Sequence, residues 1–126
     1  MFDIRKTIRV SLPRIPFEDM ARAVLGRQYE LSLVVCGDDL AQRMNKQYRK
    51  KTYKPNVLSF PLDAQSGEIF LNLRCAEREA RTFGMHTRDR IALLYVHGLF
   101  HLCGYDHGAP MERLERKVLK QFGFLT

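Results

Sequence analysis

The hydrophobic and polar residues follow two distinct periods along this chain, which predict strands and helices in the order βαβαββααα. Between Phe2 and Val10 apolar residues occupy alternate positions, as in a strand with one solvated face. Lys6 interrupts that face, which favours an edge position for this strand. The run Leu31 to Cys36 is short and apolar, with β-branched residues, which is typical of an inner strand.

A β-hairpin is predicted in the middle of the chain. Val57 to Phe60 has strand character, and Pro61 is expected to end this strand because proline has no N–H for the ladder. Asp63 to Gly67 favours a turn, and Glu68 to Leu73 is the next predicted strand. Two short strands joined by a glycine-containing turn most simply pair with each other.

Five segments have helical spacing of their apolar residues. They begin at Pro16, at Asp38 or Asp39 as N-cap, at Arg74, at Thr87 as N-cap, and at Pro110. The fourth segment is apolar on nearly all sides, apart from a narrow strip that holds Arg90, His97 and His101. The predicted fold class is therefore α+β, a single domain over residues 1–126 in which a small mixed sheet of about four strands packs with helices.

The composition narrows the class of protein. The 126 residues are 45% hydrophobic and 28% charged, which suits one globular domain with its own core. Without a run of roughly 18 apolar residues or a signal-peptide pattern, a cytoplasmic protein with no membrane partner is expected. Cys36, Cys75 and Cys103 are scattered without a CxxC pair, so they are expected to be reduced packing residues.

Three of the four histidines follow the spacing HxxxHxxxxxH. His97 and His101, four residues apart, lie on the same face of a helix and can reach one ion. Gly104 favours a left-handed turn at the helix end, which can bring His107 back towards the pair. Three imidazoles without an acidic ligand suit zinc with an open fourth position. One Zn²⁺ per chain is therefore predicted on the long helix that precedes the C-terminal helix.

Two neighbours of these histidines bear on the chemistry. Metzincin peptidases share the histidine spacing but place a glutamate general base beside the first histidine, where this chain has Gly98. Peptidase chemistry of that kind would therefore lack its base. Cys103 is an alternative fourth ligand for a closed structural site, although it falls on roughly the opposite side of the helix from His101.

The chain has 21 lysine and arginine residues against 14 acidic residues, a net charge of +7, and the excess is unevenly placed. Residues 40–62 contain basic and aromatic residues but no acidic residue. This composition indicates a surface for a polyanion, with aromatic rings available to stack on unpaired bases. The candidate RNA-binding residues are Arg43, Lys46, Lys50, Lys51, Tyr53 and Lys54. A solvated basic face without a ligand is the alternative.

Three segments resemble the YbeY family of zinc-dependent endoribonucleases. They are YRKKTYKPNVLSFP at Tyr48 to Pro61, SGEIFLN at Ser66 to Asn72, and HGLFHLCGYDH at His97 to His107. The resemblance spans most of residues 31 to 120. The chain departs from the family pattern at Pro55, where threonine is usual, and at Glu68, where aspartate is commoner, and the loop between the first two segments is short.

The resemblance implies a single-strand-specific, zinc-dependent endoribonuclease that hydrolyses RNA phosphodiesters in ribosomal RNA maturation and ribosome quality control. It implies His97, His101 and His107 as zinc ligands and Arg49 as an active-site arginine. Single-stranded or ribosomal RNA, and the small ribosomal subunit with its proteins, are the implied partners. A guanidinium at position 49 would hold a phosphate and stabilise charge in the transition state, although from the residues alone it equally suits a helix C-terminus.

The sequence leaves the general base open. Gly98 has no side chain for this role, so the candidates are Asp106, Glu68, a second water and the RNA 2′-hydroxyl. Asp106 equally suits the role of hydrogen-bond acceptor for a ligand histidine. Two other functions also stay open: a non-enzymatic, metal-stabilised ribosome-assembly or RNA-binding factor, and a metal-dependent hydrolase of another substrate.

Overall fold

The computed structural model describes residues 1–125, and the elements in them follow the predicted order. The strands are β1 (Phe2–Lys6), β2 (Glu30–Cys36), β3 (Val57–Asp63) and β4 (Ser66–Asn72). The helices are α1 (Phe17–Leu25), α2 (Asp38–Arg49), α3 (Leu73–Phe83), α4 (Thr87–Leu102) and α5 (Ala109–Gln121). The predicted α+β class is confirmed.

The four strands form one mixed sheet in the order β1-β2-β4-β3. β1, β2 and β4 run parallel, whereas β3 pairs antiparallel with β4 as the predicted hairpin. The edge position of β1 and the inner position of β2 are also confirmed. Leu33, Val34 and Val35 of β2 are fully buried, because helices cover this strand on both faces.

The predicted ends of two strands are wrong. β1 ends at Lys6 and does not continue to Val10. Pro61 does not end β3, which runs on to Asp63 and pairs Pro61 with Gly67. A proline is tolerated here because β3 is an edge strand, with its irregular register between Pro61 and Asp63.

The residues that precede α2 and α4 also differ from the prediction. Gly37 occupies the N-cap position of α2, and His86 occupies that of α4. Asp38 instead accepts two hydrogen bonds from Arg78 of α3, at 2.8 and 2.9 Å. A contact between residues far apart in sequence has therefore replaced the expected local cap.

The helices divide unequally between the two faces of the sheet. α2 covers one face, where Val34 and Phe70 are buried against Ala41. The other four helices lie on the opposite face, and α4 is at their centre, with Tyr95 fully buried. Among the helices of residues 1–125, none combines the length and apolar character that a membrane crossing requires.

Gly98 lets α4 approach the edge strand β3 closely. Ser59 Oγ donates a hydrogen bond of 2.9 Å to the Gly98 carbonyl. A Cβ atom at position 98 would lie 3.1 Å from Ser59 Oγ and 3.3 Å from Val57 Cγ2. The residue after His97 therefore faces a packed strand, and a side chain there would require its neighbours to move by a few tenths of an ångström.

Candidate metal centre and its cleft

The three clustered histidines meet at the C-terminal end of α4. The Nε2 atoms of His97 and His101 are 3.0 Å apart. Gly104 takes a left-handed conformation (φ 93°) just after the helix, and the chain then returns so that the His107 ring lies 4.7 Å from each of the other two rings. One ligand atom from each histidine lies within 4.8 Å of the others. The predicted grouping is confirmed, and the three residues could hold a metal ion, which we call the histidine cluster.

Hydrogen bonds to the Nδ1 atoms orient two of these rings. His97 Nδ1 donates to Glu115 Oε2 of α5 at 2.6 Å, and His101 Nδ1 donates to the Tyr105 carbonyl at 2.9 Å. A carboxylate and a carbonyl only accept, so these bonds place the protons on Nδ1. The unprotonated Nε2 atoms of both rings then converge on the same point, which is the arrangement that a metal ion requires.

Glu115 was not found from the sequence. It lies in line with Met111 and Leu119, four residues before and after it on α5, and all three are buried. An acidic residue on a buried helical stripe was the available signal, because a buried carboxylate needs a partner. Its partner, His97, is on a different helix, so the pairing depends on how α4 and α5 pack.

The histidine cluster fits a tetrahedral ion such as zinc. Two imidazole nitrogens bound to one zinc ion are about 3.3 Å apart, close to the separation of the two Nε2 atoms. Burial, followed by the proximity of His97, lowers the pKa of His101 below its usual value. The ring is therefore neutral at pH 7, which is the form that binds metals.

A cleft of about 520 Å³ opens beside the cluster, and we call it the polar cleft. All three histidines line it on one side, together with Asp106. Its other side comes from the end of α2 and the start of β3. The residues there include Arg49, Tyr53, Asn56 and Ser59. The structure thus places the predicted arginine and the predicted metal ligands around a single cleft.

The segment 50–56 follows directly after Arg49, and we call it the arginine loop. Two buried amide side chains hold it in place. Asn45 donates from Nδ2 to the Tyr53 carbonyl at 3.0 Å, and its Oδ1 accepts from Arg49 Nη1 at 3.4 Å. Asn72 donates from Nδ2 to the Pro55 carbonyl at 3.0 Å. Arg49 Nη1 also lies 3.2 Å from the Tyr53 hydroxyl. These bonds fix the side of the polar cleft that faces the histidines.

Asn72 has a second structural role. Its Oδ1 accepts from the backbone N–H of Cys75 at 3.2 Å and so caps α3, while its Nδ2 also reaches Asp38 Oδ1 at 3.0 Å. The hydrogen bonds of Arg78 hold the pKa of Asp38 at about 2. One fully buried amide therefore joins α2, α3 and the arginine loop.

The two side chains among the candidates for the general base are separated by the sheet. Asp106 lines the polar cleft. Glu68 alternates with Ile69, whose side chain contacts α4 near Gly98, so Glu68 lies on the face of the sheet that α2 covers. Glu68 is therefore remote from the histidine cluster. The Nδ1–H groups of His97 and His101 use Glu115 and the Tyr105 carbonyl as acceptors and not Asp106.

The predicted basic residues do not form one patch at the cleft. Arg43 lines a separate pocket beside Thr7 and Arg74. The side chains of Lys46, Lys50, Lys51 and Lys54 are exposed around the end of α2 and the arginine loop, and they are not among the residues that line the polar cleft. Of the charged residues and tyrosines in residues 40–62, Arg49 and Tyr53 alone line the polar cleft.

Cys103 is not packed as expected. It is exposed, and its Sγ lies 3.7 Å from the Val24 carbonyl of α1. This contact points away from the histidine cluster, and Cys103 is not part of the group that could hold a metal. Cys36 and Cys75 are buried, as predicted.

Known proteins match both the sequence and the fold. The family model described as endoribonuclease YbeY matches residues 6–123. A relative named Endoribonuclease YbeY from a Sulfurovum strain is 31% identical over 96% of this chain and 88% of the relative. One of the same name from Helicobacter pylori is 38% identical over 79% of this chain and 76% of the relative.

The solution structure of a Thermotoga maritima protein aligns with this chain at a TM-score of 0.67. The alignment covers 97% of this chain and 89% of the Thermotoga maritima chain. At 20% identity, this likeness shows the fold alone. The sequence matches carry the family assignment, because the family model extends from the last residue of β1 to beyond the end of α5. The chain therefore belongs to the endoribonuclease YbeY family.

Proposed function

We propose that this protein is a zinc-dependent endoribonuclease that hydrolyses phosphodiesters in single-stranded RNA. Family membership supports an enzyme that acts on RNA, since the relatives carry the name endoribonuclease. The proposed place of action is ribosomal RNA maturation and ribosome quality control in the cytoplasm, with the small ribosomal subunit and its proteins as partners.

The observation that carries the proposal is the placement of Arg49 across one cleft from His97, His101 and His107. Three imidazoles suit zinc, and a guanidinium binds phosphate oxygens with two parallel N–H donors. Tyr53, also in the cleft, is 53% exposed and offers a ring on which an unpaired base can stack. A duplex would not present its bases in this way, which supports single-stranded RNA.

When bound, zinc supplies Lewis acidity and makes water a nucleophile near neutral pH. Glu115 and the Tyr105 carbonyl keep two ligand rings oriented by holding their Nδ1 protons. Arg49 holds the scissile phosphate and stabilises the negative charge that builds on its oxygens. Its orientation depends on Asn45 and Tyr53, which contact the same Nη1 atom.

Asp106 is the side chain we propose for proton transfer. It is exposed in the polar cleft and its carboxylate is not engaged by the Nδ1 atoms of His97 or His101. A general base must lie within hydrogen-bond reach of the proton it takes, directly or through one water. The alternative is the RNA 2′-hydroxyl as the nucleophile, in which case Asp106 would not be required for cleavage.

Metal content and RNA cleavage should be measured together on wild type, His101→Ala and Arg49→Ala proteins. We expect about one zinc per wild-type chain, as a single open site of three histidines holds one ion. His101→Ala should lose both metal and cleavage. Arg49→Ala should keep metal and fold while its cleavage rate falls by about 10²–10³-fold, the usual loss for a preorganised charge-stabilising group.

Arg81→Ala is the matched control, because Arg81 is an exposed arginine of α3 that does not line the polar cleft. It should cleave at close to the wild-type rate. Cleavage that survives in Arg49→Ala would contradict the proposed role of the arginine. Zinc binding without any cleavage of single-stranded RNA would instead favour a metal-stabilised RNA-binding or ribosome-assembly factor.

A further inference from the structure

A second cleft, of about 480 Å³, lies between α4 and α5 on the other side of the histidines. Its apolar lining is formed by Leu93, Leu94, Met111 and Leu119. Leu93 is half-buried and presents apolar surface to this cleft, whereas the other three are buried beneath it as part of the core. The chemistry proposed above uses none of these side chains. We call this site the apolar cleft.

The apolar cleft is continuous with the polar cleft. His97, His107 and Asn56 line both. A chain that lies across the histidine cluster therefore passes directly from one cleft into the other. Whatever occupies the apolar cleft is expected to be part of the same ligand that reaches Arg49.

Asn56 offers a polar contact at the junction of the two clefts. Its Nδ2 lies 3.2 and 3.3 Å from the two carboxylate oxygens of Glu79. A carboxylate only accepts, so this contact fixes the amide with Oδ1 on the side away from Glu79. Within residues 1–125, this Oδ1 receives no side-chain hydrogen bond, which leaves an acceptor for a ligand N–H or O–H.

The charges of the apolar cleft disfavour a phosphate there. Arg90 is already paired with Glu79, at 2.9 Å, and Glu115 with His97. Of the remaining lining residues, Arg116 and Glu112 are exposed and opposite in charge, so they largely cancel. A neutral group with apolar faces and polar edges matches this site, and in RNA that group is the base.

We propose that the apolar cleft binds an unpaired nucleobase of the RNA strand whose scissile phosphate lies at Arg49 in the polar cleft. This inference rests on the proposed function, since it takes RNA as the ligand. The base packs on the Leu93 side chain of α4, and its edge donates to Asn56 Oδ1. The site contributes both affinity and a preference for RNA that is unpaired next to the cleavage point.

The test is an abasic scan. Short single-stranded RNAs, each lacking one base at a different position around the cleavage point, are compared with the intact RNA for binding and for cleavage. Binding is measured by fluorescence anisotropy on the zinc-loaded protein, with a non-cleavable linkage in place of the scissile phosphodiester, so that it does not depend on turnover. With wild-type protein, removal of one particular base should weaken binding about 10-fold, within the range of base–side-chain stacking.

Leu93→Ala should weaken binding of the intact RNA by a similar factor. In this variant, removal of the same base should then weaken binding little further. Leu62→Ala is the control, because Leu62 is 65% exposed and lines neither cleft. We call the factor by which base removal weakens binding the abasic penalty. In that control the abasic penalty should equal the wild-type value. Asn56→Ala, which removes the proposed acceptor for the base edge, is the second variant if Leu93→Ala is unstable, and it should reduce the same penalty partially.

Two outcomes separate this inference from the proposed function. If the abasic penalty is the same in wild type, Leu93→Ala and Asn56→Ala, the apolar cleft does not bind a base, even when the enzyme cleaves RNA. If the penalty disappears in the variants but no RNA is cleaved, the base site stands and the nuclease proposal fails. An apolar cleft that instead binds a peptide would give no abasic penalty that depends on Leu93.

Discussion

The two sides of the polar cleft are built differently. The histidine side rests on α4, whose neighbouring residues Tyr95, Val96 and Leu99 are fully buried. The opposite side is the arginine loop, where Lys50 to Lys54 are exposed and the position is fixed by Asn45 and Asn72. Apolar packing holds one side, and a small number of hydrogen bonds hold the other.

This difference separates the two requirements of the proposed chemistry. A metal site needs ligands within a few tenths of an ångström of fixed positions, which a packed helix provides. A phosphate-binding loop tolerates small movements while it admits a flexible strand. Changes on the histidine side are therefore expected to alter metal binding, whereas changes in the support of the arginine loop should alter stability and RNA binding.

The largest expected effect in this comparison is on the histidine side, at Glu115. Glu115→Gln removes the charge that holds the His97 Nδ1 proton, so metal affinity should fall about 10–100-fold. Competition against a chelator measures this affinity. Glu112→Gln, one turn earlier on α5 and exposed, should bind metal as wild type does. Equal affinities in both variants would show that packing alone orients the ring.

The next effect is on the arginine loop, at Asn72. Asn72→Ala removes the cap of α3 and leaves the buried Pro55 carbonyl without its donor, so the free energy of unfolding should fall by about 1–2 kcal/mol. Urea denaturation measures the change, and Gln47→Ala, an exposed position on α2, is the control. Metal affinity should not change. If it falls as much as in Glu115→Gln, the two sides of the cleft are not independent.

The smallest effect concerns Asp38, which also supports the arginine loop through Asn72. Its pKa is about 2 because of its hydrogen bonds to Arg78, below the ordinary value of 3.8. A lowered carboxyl pKa stabilises the folded state above the ordinary value, and this contribution disappears as the pH falls through about 2. Since the Arg78 side chain is 46% exposed, solvent screening limits the contribution to about 1 kcal/mol.

Unfolding of wild type and Asp38→Asn should therefore be compared between about pH 4 and pH 2, the interval between the two pKa values. Wild type should lose about 1 kcal/mol more than the variant over this interval. Asp39→Asn, at the neighbouring exposed position, should retain the wild-type slope. Parallel curves for wild type and Asp38→Asn would show that the contact with Arg78 does not stabilise the fold.

Errors in the sequence-based prediction share one physical origin. Pro61 was expected to end β3, but its place in an edge strand makes the missing N–H harmless. Asp38 or Asp39 was expected to cap α2, but Gly37 occupies that position, and Arg78 and Asn72 bind the Asp38 carboxylate. Glu68 was a candidate base, but strand alternation directs it to the α2 face. In each case the outcome depended on which elements pack next to the residue, and those elements are distant in sequence.

The sequence by itself determined the order of the elements, the α+β class and the grouping of His97, His101 and His107. Those features follow from local geometry, since helical periodicity places residues four apart on one face and a glycine permits the turn at Gly104. The tertiary structure alone decided that Glu115 binds His97 and that the arginine loop faces the cluster. These relations depend on the packing of separate elements, which no local period in the sequence encodes.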